Sequence, residues 1–125
     1  MSDRLRQINR QRTDDNLREQ YAKGRRYMTE YHIDGKLPLV RGRRFKINGD
    51  GKYYIFHYAG TDKGGDWISA DGPYSKNGTE AGGLSRIFDP ADIRQVERNV
   101  PTTEFTIETP AERAERLGLN EKAAS

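Results

Sequence analysis

The chain has 125 residues, no cysteine, a formal net charge of +3, and 33% hydrophobic against 33% charged residues, with a mean hydropathy of −1.03. That length fits one domain with room for an arm, and the composition predicts a compact core over part of the chain with solvated segments elsewhere. The missing cysteines exclude a disulfide framework and a thiolate metal site, no apolar run approaches the roughly 18 residues of a membrane span, and MSDRLRQINRQR has no apolar stretch behind its charges to make a secretory signal; the expected setting is the cytoplasm.

The charge is unevenly placed. Met1 to Lys46 carries 13 Lys or Arg against 6 Asp or Glu, a balance of +7, and the remainder carries 9 against 13, a balance of −4. A basic front predicts a polyanionic partner or a protein with acidic patches. The competing reading is a solvated, arginine-rich helical arm.

Residues 1–29 read as this basic helical arm. Ser2 is a candidate cap for a first helix with Leu5 and Ile8 three apart. Thr13 is a candidate cap for a second, with Asp14 and Asp15 in its first turn. Asp14 with Arg18 and Glu19 with Lys23 lie four apart in the stabilising order. Leu17, Tyr21 and Met28 form a narrow seam, and Gly24 weakens the helix.

Residues 30–108 change to extended patterning. In EYHIDGKLPLV, Asp34-Gly35 is a two-residue hairpin signal. RRFKI alternates, with Phe45 and Ile47 on one side and Arg44 and Lys46 on the other. NGDG (Asn48 to Gly51) is a second turn before KYYIFHYA, and the loop GTDKGG leads to DWISA. GPYSKNGTEAGG then precedes LSRIF, DPADI reads as a single helical turn, RQVER as a closing strand and TEFTIE as an edge strand. Residues 109–125 hold a short helix and a tail. Thr109 is the cap, Pro110 the first position, Glu112 completes a capping box and Gly118 is the stop, with Ala111, Ala114 and Leu117 as the apolar line.

The expected fold is α+β: a small antiparallel β-barrel with a helical N-terminal arm and a short C-terminal helix. GRRFKI, GKYYIF, DWISA and the order strand, helical turn, strand in RIFDPADIRQVER resemble a small barrel of the Src-homology-3 type over about Leu37 to Arg98. In such barrels an aromatic beside the long loops lines a peptide groove. The resemblance therefore implies a protein-recognition patch at Trp67 and Tyr74; the competing and simpler reading has Trp67 closing one end of the core, since tryptophan is strongly buried on average. The combination PLVRGRRFKI, GKY, WI and GP is also similar to small uncharacterised accessory proteins of actinobacterial phages. That similarity implies expression in a bacterial cytoplasm and supplies no established activity.

No catalytic constellation is visible. His32 and His57 lack metal-ligand spacing to a second histidine or cysteine. Asp34, two residues from His32, serves a turn, and a satisfied structural role is the simpler reading of His57 within a strand. GDGKYY and DKGGD lack the strand–loop–helix setting of a phosphate cradle, and no serine sits in a nucleophile elbow. The expectation is a non-catalytic protein without cofactor or metal.

A binding surface is better supported. Alternation through KYYIFHYA puts Tyr53, Ile55 and His57 on one face and Tyr54, Phe56 and Tyr58 on the other. If Phe45 and Ile47 are core, Arg44 and Lys46 share the outer face with one of those sets. Rings stack on bases and basic side chains neutralise phosphates. The predicted nucleic-acid surface therefore comprises Arg25, Arg26, Arg41, Arg43, Arg44 and Lys46 for phosphate, with Tyr54, Phe56 or Tyr58 for stacking. The bland alternative packs the second aromatic row under the N-terminal helices. The predicted partner is a nucleic acid or nucleoprotein. The alternative is a protein-interaction adaptor that docks a host or phage protein through the terminal helices, Trp67 and Tyr74.

Overall fold

With neither glycine nor proline to interrupt it, Asp3–Ala22 forms one continuous helix, α1, in the computed structural model of the protein, which describes residues 3–49, 51–74, 84–98 and 108–120. The expected restart at Thr13 does not occur. α1 ends where Gly24 takes φ +100°, and the Gly24 and Arg25 amides close onto the Tyr21 and Gln20 carbonyls as helix stops with a left-handed glycine do. The next residues, expected to be helical, are instead a strand.

The extended segments are β1 (Arg26–Met28), β2 (Glu30–Tyr31), β3 (Leu39–Val40), β4 (Arg44–Ile47), β5 (Tyr53–Asp62), β6 (Gly65–Tyr74), β7 (Leu84–Phe88) and β8 (Ile93–Val96), and a second helix, α2, spans Pro110–Arg116. The larger sheet runs β7-β6-β5-β4-β8, with β1 on the second half of the same β5 edge that β4 uses. All its pairings are antiparallel. β2 and β3 form a separate ribbon. Asp34 and Gly35 do make a turn, closed by Lys36 N–H on Ile33 C=O at 3.0 Å, but pairing begins only at Tyr31–Leu39, so the loop is longer than two residues. The 3-10 turn Pro90–Asp92 lies between β7 and β8, capped by Asp89. The fold is thus α+β, an antiparallel sheet with two helices. Among the described residues the sheet is not closed, because β7 and β8 do not pair. All of the expected TEFTIE strand except Glu108, and most of the GPYSKNGTEAGG loop, lie outside the described residues. Among the described residues no helix is long and apolar enough to cross a membrane.

One irregularity decides which side chains face which way. Phe56 opposes Ala70 while Tyr58 opposes Ser69, so β5 carries one extra residue there. A bulge of this kind shifts every later side chain to the opposite face. Before it, Tyr54 and Phe56 point inward; after it, Ala59 does, and these three join Leu39, Phe45, Ile68, Ala70, Ile93 and Val96 in the main core. Phe45 stacks on Tyr54 at 5.9 Å, and Phe88 meets both rings edge-on.

Tyr58 leaves that row for the other face. There it joins Tyr27 and Trp67 beneath Leu17 and Tyr21 of α1 and Ala111 and Ala114 of α2. The small alanines, both fully buried, let α2 approach closely. Its N-terminus is set by the predicted capping box, and Arg41 Nη1 reaches the same Glu112 carboxylate at 2.5 Å. Asp14 is buried against Arg116 (2.9 Å) and Arg113 (3.4 Å), which ties α1 to α2. Arg18, predicted to pair with Asp14, pairs with Asp15 instead, while Lys23 and Glu19 pair as expected.

Candidate binding surfaces on the outer sheet face

The face opposite the main core is divided. α1 and α2 cover the half built by β1, the end of β5 and the start of β6. On the other half, Arg44, Lys46, Tyr53, Ile55, His57, Asp71 and Tyr74 are half-buried. Register brings them together: Arg44 opposes Ile55, Ile55 opposes Asp71, and Tyr53 opposes Tyr74. Lys46 Nζ stands 4.7 Å and the Arg44 guanidinium 5.9 Å from the Tyr53 ring centroid, distances at which a cation is drawn to the ring's electron-rich face. His57 Nε2 lies 2.7 Å from Asp71 Oδ2. Burial, reinforced by Asp71, raises the Tyr74 hydroxyl above its ordinary value.

The predicted stacking residues are therefore corrected. Tyr54 and Phe56 are sealed in the core at 3% and 0% exposure, where no base reaches them, and Tyr58 belongs to the layer under the helices. The ring on the outer face with the cations is Tyr53. Trp67 and Tyr74, predicted as one patch, stand seven residues apart on β6, about 23 Å along a strand, in different surroundings.

The predicted cations fare differently. Arg41 is tied to Glu112. Arg43 Nη1 donates to the Pro38 carbonyl at 2.6 Å, bracing the loop before β3. Arg26 donates to the Tyr21 and Arg25 carbonyls at 2.8 Å and lies 4.8 Å above the Tyr21 ring. Arg25 contacts Asp62, Tyr27 and Trp67. Only Arg44 and Lys46 of the predicted set share the open half-face with a ring.

Beside the helices lies a groove of about 420 Å³ lined by Arg25, Tyr27, Tyr58, Asp62, Trp67 and Ile87. Tyr27, Gly60 and Trp67 form one cross-strand row, and the Trp67 ring lies flat enough over Gly60 that an added Cβ would meet Cζ2 at 2.2 Å. Ile87, on the end strand β7, is 61% exposed. The Gly64 amide, followed by Arg25 and the Trp67 indole, holds the Asp62 carboxyl below the usual carboxylate range. Sequence reasoning missed Tyr53 as the outer ring, and missed Tyr27 and Asp62 altogether. Asp62 and Arg25 are 37 positions apart, and no local pattern links them.

The chain matches no protein-family model, no curated protein and no solved structure.

Proposed function

We propose that the protein is a non-catalytic module that binds a nucleic acid, free or within a nucleoprotein, on the open half of the outer face. The observation that carries this reading is the cluster of Lys46 and Arg44 about Tyr53, with Tyr74 opposite. Cations neutralise phosphates, and half-exposed rings give bases a platform. Contacts of this kind hold the backbone and confer little sequence specificity. The 3-10 turn before β8 and the bulged, bending β5 support a finer reading of the fold, a Src-homology-3-like barrel left partly open. The absence of cysteine fits a cytoplasmic setting, that of a phage accessory protein included.

The test is fluorescence anisotropy of short labelled single- and double-stranded DNA and RNA, from low to physiological salt. Affinity is expected to fall linearly in log–log form. Lys46→Ala should reduce the slope by about 1, and Tyr53→Ala should cost about 1–3 kcal/mol on single strands while leaving the fold intact. Phe56→Ala, by contrast, should cost about 3–5 kcal/mol of stability. Absence of binding at low salt, or binding unchanged in both surface variants, would refute the assignment.

A second reading, a protein-interaction adaptor for a phage or host partner, is favoured by the groove at Trp67 and its exposed Ile87. The N-terminal helix does not serve that adaptor as a freely detachable arm, because Asp14, Leu17 and Tyr21 are buried.

A further inference from the structure

The groove beside the helices has a specific chemistry. Tyr27, Tyr58 and Trp67 stand with centroids 5.7 to 6.0 Å apart and planes inclined at 63° to 86°. Asp62 closes one side, its Oδ1 fixed by the Gly64 amide at 2.9 Å. Rings at near right angles with an adjacent carboxylate attract a flat organic cation, by ring quadrupole and by charge. The chain supplies one itself. The Arg25 guanidinium carbon lies 5.6 Å from the Trp67 centroid and 6.0 Å from that of Tyr27. Its Nη2 donates to Asp62 Oδ2 and its Nη1 to the Tyr27 hydroxyl, both at 3.3 Å.

Those bonds are long for charge-assisted ones, and the Arg25 side chain is 42% exposed. Ile87 borders the same groove with most of its surface exposed.

We propose that this cage is a binding site for the guanidinium group of an arginine on a partner protein, which displaces Arg25 from Asp62 and lays its methylene stem on Ile87. The long stem of an arginine suits such an apolar shelf, and the planar fork suits a carboxylate flanked by rings. Arg25 then acts as an internal competitor that keeps the cage closed until a partner arrives. The inference draws on the adaptor reading only for the source of the arginine. The cage itself is separate from the Tyr53 surface, and failure of either leaves the other standing.

Trp67 is the only tryptophan, so its emission reports this site alone. The full-length protein is titrated with N-acetyl-arginine amide, and the Trp67 fluorescence and indole N–H resonance are followed. Saturable change is expected. Arg25→Gln should tighten the probe by about two- to fivefold, the range set by an exposed ion pair. Asp62→Asn should weaken it by about tenfold or more. Thermal unfolding of each variant checks that it folds, and the wild-type indole resonance serves if a variant does not. No saturable change in either the wild type or Arg25→Gln would overturn the proposal. So would a response that Asp62→Asn leaves intact, and tighter binding of tetramethylammonium would overturn the guanidinium assignment.

Discussion

Gly60→Ala is the sharpest test of how the two layers meet. Gly60 lies in β5 between Tyr27 and Trp67, and its φ is not in the positive range, so alanine suits its backbone. The obstacle is steric: the new Cβ would stand 2.2 Å from Trp67 Cζ2 and 2.5 Å from Cη2. The indole must tilt away from the strand, carrying its edge-on contacts to Tyr27 and Tyr58 with it. Overpacking of this kind costs about 1–3 kcal/mol, which for a domain of this size lowers Tm by about 4–12 °C. Gly51→Ala is the matched control, since an added Cβ there meets nothing within 4 Å and should change stability by no more than about 1 kcal/mol, in the stabilising direction if at all. Thermal unfolding followed by circular dichroism and by tryptophan emission measures both. A Gly60→Ala variant with the wild-type Tm and emission would refute the placement of Trp67 over β5. With it would go the groove built on that ring.

Three further outcomes are expected. Asp14→Asn removes the charge that Arg116 and Arg113 share between α1 and α2 and should cost about 1–3 kcal/mol, measured by urea unfolding. The carboxyls of Glu112 and Asp66 lie below their ordinary values. For Glu112, burial pushes upward but is outweighed by the Thr109 amide and Arg41; for Asp66, the hydroxyls of Tyr31 and Thr61 dominate. Folded values below unfolded ones mean that this stability is complete above the ordinary carboxylate range of about 4 and is lost as pH falls through the folded values. Tm should therefore drop in acid, less steeply in Glu112→Gln. At the alkaline end, burial and the hydrogen bond to Asp66 push the Tyr31 hydroxyl up to about 12. Its contribution is intact below about 10, the ordinary phenol value, and is lost as pH rises toward the folded value. Phenolate absorbance against pH should lose its latest-titrating component in Tyr31→Phe, while the upward-shifted Tyr21 and Tyr74 remain.

Local chemistry made several elements legible from residues alone. The capping box at Thr109 and Glu112, the 3-10 turn after Asp89, the turn around Gly49 and the alternation of Phe45 with Arg44 and Lys46 all appear as the sequence implies. Each depends on neighbours within a few positions, where hydrogen-bond geometry and side-chain period are set by the backbone itself. The charge asymmetry was equally plain, and so was the adjacency of basic and aromatic residues in VRGRRFKINGDGKYYIF.

What the tertiary structure alone decided is the direction in which the rings point. Strict alternation places Tyr54, Phe56 and Tyr58 together, but one extra residue in β5 sends the first two inward and the third beneath the helices. A bulge answers to how two strands pair and bend, and nothing local to KYYIFHYA encodes it. The same holds for Asp14, whose partners lie about 100 positions away on α2, and for Arg25, whose cage is assembled from β1, β5 and β6. The sequence by itself specified the strands β4 to β8, the turns near Gly49 and Asp89, the capped C-terminal helix and the supply of charge, but neither the continuity of α1 nor the strand β1. Only folding settled which cations bind the chain's own carboxylates and which ring stands outward beside Lys46, because those outcomes depend on contacts between segments remote in sequence.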